Sequence, residues 1–267
     1  MNILIPIKQV PETSNVKMDE KSGAMIREGT ECIINPLDLY AIETGLQQKD
    51  KHGGSVTVIS MGPLSAEKAL KEAIAMGCDA GILLTGREFA GSDTWATSYA
   101  ISETVKNSFD FDLIICGERA TDGDTGQVGP EIASMLDVPL ATYVSCIESI
   151  ENGYIIVERL IELGYEKIKM QLPALITVIK EIASPRLPTL RGKQRAKSVS
   201  ISELSADSAK IDSSKIGLHA SPTHVVKIEA PRITREGRII TVSSDSESIS
   251  LACDELLEFL KKQGVVF

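Results

Sequence analysis

Between positions 117 and 130 the chain reads Gly117-Glu-Arg-Ala-Thr-Asp-Gly-Asp-Thr-Gly-Gln-Val-Gly-Pro130, a run dense in glycine, carboxylate and hydroxyl. An apolar stretch, Asp112-Leu-Ile-Ile-Cys116, precedes it, and a helical pattern over 131–136 follows. Strand, Gly-rich loop and helix start, in that order, hold phosphate. Backbone N–H groups at the helix N-terminus point at the anion, and glycine lets it come close. The carboxylates Asp122 and Asp124 suit other partners: ribose hydroxyls, adenine N–H, or the backbone N–H groups that shape the loop. A long polar turn with an N-cap has the same composition, so the reading leans on neighbouring loops.

Three more loops carry similar residues after apolar runs. Pro6-Ile7-Lys8 opens the first, which extends to Glu12. Lys8 there is either a phosphate partner or a solvated strand-end lysine. Met61-Gly62-Pro63 forms the second. The third, 86–97, concentrates Ser92, Asp93, Thr94 and Thr97 before a helix pattern, a cluster that binds pyrophosphate or caps its own helix. In an open α/β sheet, ligands lie outside the carboxyl ends of the strands where strand order switches. These loops are therefore expected along one rim. The chain contains no G-x-G-x-x-G fingerprint and no Walker G-x-x-x-x-G-K-[ST]. Catalytic constellations are missing too: no G-x-S-x-G elbow, Cys–His pairing or H-E-x-x-H. Glu158 and Glu162, four apart, lie in a strand pattern and read as surface. The three histidines lack metal-ligand spacing. A nucleotide rim without a nucleophile suits a cofactor carrier, in which the cofactor does the chemistry.

The elements that must position these loops alternate. Strand patterns at 3–7, 56–60, 81–84 and 113–116 interleave with helix patterns at 37–48, 64–76, 94–107 and 131–136, which predicts a parallel sheet with helices on both faces. Asn35-Pro36, Ser65 with Glu67, and Ser92-Asp93 are candidate helix starts. His52-Gly53-Gly54 and Gly77 are candidate stops. Beyond 150 the pattern changes to a hairpin, 154–162 with 166–172, and a further strand at 174–180. A basic, proline-bearing loop follows at 184–197, either partner-docking or solvated. Residues 198–245, Ser-rich and weakly periodic, read as an extended arm with a basic patch at Arg232, Arg235 and Arg238. The chain closes on an amphipathic helix at 246–262, with Ile249, Ala252, Cys253, Leu256, Leu257 and Leu260 on one face. The expected division is a nucleotide-binding domain at 1–197 and an arm plus helix at 198–267, built to clasp a second subunit.

Composition excludes some classes. The 267 residues carry a net charge of −9, which argues against nucleic acid and anionic membrane surfaces. Aromatics make up 4%, too few for base stacking. No apolar run is long enough to span a membrane. The five scattered cysteines read as buried thiols of a cytoplasmic protein.

Over nearly its whole length the chain resembles the small (beta) subunit of electron-transfer flavoproteins. The likeness rests on Ile7-Lys8-Gln9-Val10-Pro11, on Asn35-Pro-Leu-Asp38 with Ala41 and Glu43, and on Asp122-Gly-Asp-Thr-Gly-Gln-Val-Gly-Pro130. It continues in Val157-Glu-Arg-Leu-Ile-Glu-Leu-Gly-Tyr-Glu-Lys-Ile, in Pro173-Ala-Leu-Ile-Thr177, and in Ser184-Pro-Arg186 leading to Leu190. Arg119 and Gly126 depart from the usual Gln and Ala.

The resemblance implies a heterodimer with a larger, FAD-carrying subunit, and an α/β, Rossmann-like (adenine nucleotide α-hydrolase-like) fold with an open, mostly parallel sheet, an added hairpin and a C-terminal arm. The Asp122–Pro130 run and Asp93-Thr94-x-Ala96-Thr97 look like the electron-bifurcating kind, whose small subunit holds a second FAD that exchanges hydride with NAD(H). Ordinary members hold a structural AMP there instead. By that likeness Asn35 and residues Asp122, Gly123, Asp124, Thr125, Gly126, Gln127 and Val128 hold the adenosine part. Residues 92–97 lie by the pyrophosphate and flavin. Pro6, Ile7, Lys8, Met61, Gly62 and Pro63 line the pocket, and Asp38 and Gly117 complete the set. Implied partners are ferredoxin or flavodoxin and a flavin-dependent dehydrogenase, acyl-CoA or lactate type, docked by Arg186, Leu190, Arg191, Lys193 and Arg195. A competing class, nucleotide-dependent enzymes on a similar sheet, expects a Ser-Gly-Gly-x-Asp-Ser loop or a G-x-x-G run ending in Gly-Ser, and neither is present.

Overall fold

The structure, a computed structural model, describes residues 1–12, 17–18, 25–26, 31–226 and 239–264. In chain order its strands are β1 (Asn2–Pro6), β2 (Gln9–Pro11), β3 (Lys17–Met18), β4 (Met25–Ile26), β5 (Cys32–Ile34), β6 (Ser55–Met61), β7 (Ala80–Leu84), β8 (Leu113–Gly117), β9 (Leu140–Glu151), β10 (Tyr154–Ile161), β11 (Gly164–Gln171), β12 (Ala174–Val178) and β13 (Ser202–Leu204). The helices are α1 (Pro36–His52), α2 (Glu67–Met76), α3 (Thr94–Ser108), α4 (Val128–Leu136), α5 (Leu190–Ser198) and α6 (Ser246–Lys262).

The central strands are apolar almost without interruption because both faces of the sheet are covered. Successive side chains alternate between two cores, as the strand period requires. In β1, Ile3 and Ile5 enter one core and Leu4 the other. In β8, Leu113 and Ile115 take the first face, Ile114 and Cys116 the second. The first core is closed by α1, α2 and Ala196 of α5; the second by α3 and α4. Among the described residues nine strands form the main sheet, in the order β11-β10-β9-β12-β8-β1-β6-β7-β13. From β9 to β13 every pairing is parallel, while β10 and β11 extend it antiparallel. The predicted α/β architecture with its hairpin is therefore the observed one.

Several boundaries differ. Helix α4 begins at Val128, three residues before the predicted start. Pro130 thus lies in its first turn, where a missing N–H costs no hydrogen bond. The stretch read as a basic loop at 184–197 contains α5. Thr189 caps it by accepting the Gly192 N–H at 2.9 Å, and Gly192 lets it lie on α2, since a Cβ there would stand 2.0 Å from the Ala75 carbonyl oxygen.

The first part of the expected arm is no arm. The first compact unit runs through Ile228, not to 197. β13 pairs with β7, and Ala206, Ala209, Ile211 and Ile216 fill the second core. Small, widely spaced apolar residues among serines left little periodicity to read. Residues 229–267 form the second unit, in which no residue of α6 is buried among the described residues. The patch at Arg232, Arg235 and Arg238 lies outside the described residues. The cysteine expectation also needs correction: Cys78 and Cys116 are buried, but Cys146 and Cys253 are exposed. Cys146 lies in β9 opposite Glu158 of β10. No helix among the described residues is long and apolar enough to cross a membrane.

Candidate functional site

The chain builds outward from β1 to β6 and β7, then returns to set β8 on the other side of β1. That reversal is a switch point, and it opens a crevice beyond the carboxyl ends of β1 and β8. The 117–127 loop leaves β8 there, and Lys8 leaves β1.

Glycine decides how close the two sides come. A Cβ on Gly117 would lie 2.5 Å from Asp38 Oδ1 and 2.9 Å from the Leu37 carbonyl carbon, so only glycine lets β8 end against the first turn of α1. Asp38 is buried in that turn. Its Oδ2 accepts the Lys8 backbone N–H at 2.7 Å, and its Oδ1 accepts Asn35 Nδ2 at 2.9 Å. Burial pushes the Asp38 carboxyl up to about 7, against the lowering effect of these bonds and of the nearby Lys8 charge.

Asn35 stands at the N-cap position of α1, as expected, and its carbonyl accepts the Asp38 N–H at 2.9 Å. It makes no side-chain cap bond to α1. Its amide instead reaches across the crevice, donating to the Arg119 carbonyl at 2.9 Å and accepting the Thr121 N–H at 3.1 Å. Lys8 crosses as well, with Nζ 2.7 Å from Asp122 Oδ1. Arg119, the unusual residue, sits with Nε 3.1 Å from Asp124 Oδ1 and 3.4 Å from Glu118 Oε1. Asp124 and Gly126 take left-handed backbone, φ 54° and 63°. A Cβ at Gly123 would meet nothing within 4 Å, so that side of the loop is open. Gln127, at the N-cap position of α4, makes no side-chain cap bond to it.

The other loops divide. Pro6 and Ile7 are buried, and the Ile7 N–H donates to Ile59 at 2.8 Å, so they contribute backbone rather than side chains. Met61 ends β6, and the Gly62 N–H donates to Leu84 at 3.0 Å. Gln9 ties the first loop to the second by donating to the Ser65 carbonyl, just past Pro63, at 3.0 Å. Ser65 caps nothing, and a short 3₁₀ turn over Leu64–Ala66 precedes α2.

Ser92 and Asp93 are taken up by residues 217–223. Ser92 Oγ accepts the Gly217 N–H at 2.9 Å. Asp93 caps α3 through the Ala96 N–H at 3.1 Å and also accepts the Thr223 N–H and hydroxyl at 2.9 and 2.8 Å. Desolvation alone would raise the Asp93 carboxyl, but these bonds outweigh it and hold it below the usual range. Thr97 stands half-buried in the first turn of α3, its N–H on the Asp93 carbonyl at 3.0 Å.

Thr94 turns the other way, towards α4. Its hydroxyl is 3.1 Å from Glu131 Oε1 and 3.2 Å from Gln127 Oε1, and Ser98 donates to Glu131 Oε2 at 2.8 Å. Glu131 and Ser98 escaped the sequence reading. The only signal was their position on two adjacent helix starts.

The docking set also splits. Arg186 is fixed, donating Nε and Nη2 to Glu43 at 2.8 and 3.1 Å and Nη2 to Asp50 at 2.9 Å. Arg195 donates to the Asp79 carbonyl at 3.0 Å. Leu190 is 87% exposed, and Arg191 and Lys193 lie on the same short helix. Leu187, 86% exposed, adds an apolar residue that the sequence reading passed over.

Comparison with known proteins gives a consistent result. The electron transfer flavoprotein domain matches residues 22–209. The chain is 47% identical over 269 residues to the electron transfer flavoprotein subunit beta of Thermoanaerobacterium thermosaccharolyticum, with both chains covered completely. It is 41% identical over 267 residues, again end to end, to the caffeyl-CoA reductase-Etf complex subunit CarD of Acetobacterium woodii. It is 39% identical to the acryloyl-CoA reductase electron transfer subunit gamma of Anaerotignum propionicum, over 97% of this chain and 98% of that one.

Proposed function

We propose that this chain, which belongs to the electron transfer flavoprotein family as a beta subunit, holds FAD at its switch-point rim within a heterodimer of the electron-bifurcating kind. The observation that carries the reading is the joining of the β1 and β8 loops across the crevice by Asn35 and by Lys8–Asp122, beside an uncapped helix N-terminus. Such a rim fits an adenine dinucleotide: polar side chains for the adenosine half, free backbone N–H groups for phosphate, and open space at Gly123. Similarity to subunits of caffeyl-CoA and acryloyl-CoA reductase complexes supports a role beside a flavin-dependent dehydrogenase.

When bound, FAD supplies two-electron exchange with NAD(H) and one-electron delivery to ferredoxin or flavodoxin and to the large-subunit FAD. The residues of the chain do the holding. Asn35 fixes the 119–121 backbone, so that Asp122, Gly123, Asp124, Thr125 and Gly126 present one preformed loop to the adenosine. Gln127 and Val128 open α4 towards the phosphates. Lys8 balances Asp122 and keeps the rim close to neutral. Gly117 and Asp38 set the floor, and Met61, Gly62 and Pro63 line one side. Leu190, Arg191 and Lys193 face the dehydrogenase.

A second reading, structural AMP in the same place, draws on Asp93. The N-terminus of α3 is already capped by that carboxylate and strapped by Thr223, which leaves less there for a pyrophosphate. Nucleotide extraction from the complex co-purified with its large subunit, followed by anaerobic titration with NADH, separates the two. Two FADs per heterodimer and bleaching by NADH are expected. One FAD with AMP, and no response to NADH, overturns the bifurcating reading.

A further inference from the structure

The helices α3 and α4 start side by side at the rim, and one side chain joins them. Glu131, in the first turn of α4, accepts the Thr94 hydroxyl on one carboxylate oxygen at 3.1 Å and the Ser98 hydroxyl on the other at 2.8 Å. Thr94 and Ser98 lie one helical turn apart on α3, so the carboxylate spans the first turn of its neighbour. The contact is not a surface accident: Ser98 is fully buried, and the same hydroxyl lies 3.3 Å from the Val128 carbonyl at the opening of α4. Thr94 has a single proton, which goes to the charged acceptor, Glu131. The short approach of Gln127 is then satisfied by its amide N–H donating to Thr94 Oγ1, since amide oxygen and nitrogen are assigned from such networks. The chain of donors thus runs Gln127 to Thr94 to Glu131, and every hydrogen bond in it connects the loop of one helix to that of the other.

The two helix starts carry different parts of the proposed rim. Residues 122–128 serve the adenosine half, and residues 92–97 the half beyond it. This inference rests on that reading. We propose that Glu131 is a positioning residue that sets the spacing between the two loops, and so selects a nucleotide long enough to engage both. AMP needs the 122–128 loop alone, whereas FAD needs the loops in register. Loss of the carboxylate therefore acts on length discrimination and leaves recognition of adenosine in place.

The test uses the heterodimer with its large subunit, stripped of nucleotide at this site and titrated with FAD and with AMP separately. Glu131→Ala is expected to weaken FAD by about tenfold, the scale of one charge-assisted hydrogen bond, with AMP changed by less than about threefold. Ser98→Ala, which removes one of the two bonds and little volume, is expected to shift the FAD-to-AMP ratio in the same direction but less. Glu131→Gln keeps the shape and one acceptor, and is expected to fall between wild type and Glu131→Ala. Visible circular dichroism of the bound flavin follows the loop register independently of affinity, and is expected to change in Glu131→Ala. Unchanged affinities in all three variants, or equal losses for FAD and AMP, overturn the proposal. A wild-type complex that takes AMP but no second FAD is a different failure: it removes the reading beneath this one, and the inference with it.

Discussion

Asp38 is held where its charge is costly, and the sign of the effect follows from its surroundings. Burial raises its carboxyl from 3.8 to about 7, while an unfolded chain returns it to the ordinary range. Between about pH 4 and pH 7 the folded state therefore binds more protons than the unfolded one, and stability from this group declines as pH rises through that window. Denaturant unfolding at pH 5 and pH 8 is expected to show a steeper loss in the wild type than in Asp38→Asn. Equal slopes would mean that Asp38 is ionised at both. Strand-end polarity pointed to Lys8 and Asp122, and the family resemblance to Asn35. Their pairings were not legible, since Lys8 and Asp122 lie 114 positions apart and only the switch in strand order brings them together. Asn35 was rightly read from Asn-Pro as the start of α1, but the tertiary bond of its side chain to the 119–121 backbone could not be seen in the local rule. Glu131 carried no motif at all.

Among the elements, the 184–198 segment best separates structure from docking. Glu43, 4% exposed, receives both the backbone N–H and the guanidinium of Arg186, so it fastens the segment to α1. Glu43→Ala leaves Arg186 without its main partner and is expected to cost about 2 kcal/mol, read as a lower melting temperature, along with a raised KM for the partner dehydrogenase. Charge reversal at Arg191 and Lys193 is expected to raise that KM with no change in melting temperature or flavin content. If reversal releases flavin, the helix is structural. Helix α5 was hidden in the sequence because prolines and basic residues precede and fill it and Gly192 reads as a breaker. In the fold Gly192 is a contact point with α2. The central strands, by contrast, were legible from apolar runs, because burial on both faces leaves them mostly apolar, with Ser60 and Thr177 as buried exceptions.

At the scale of the molecule, the chain divides into two compact units, 1–228 and 229–267. A chain ending at Ile228 is expected to melt within a few degrees of the full length, because among the described residues no core residue comes from beyond that point. It is also expected to lose the large subunit in size-exclusion chromatography, as α6 has no buried residue of its own and offers Leu251, Leu256 and Phe259 to a partner. Retained association would place the heterodimer contact on the first unit. The alternation of strand and helix made the architecture legible, but the division at 197 was not the true one, because serines masked β13 and the small residues that follow it. That strand has a further consequence. The sheet terminates on one side in β13, only three residues long, and on the other in β11, eight residues long, which carries Glu166, Lys167 and Lys169. Neither margin accepts an additional strand readily. Copies of the subunit are thereby kept from templating one another edge to edge.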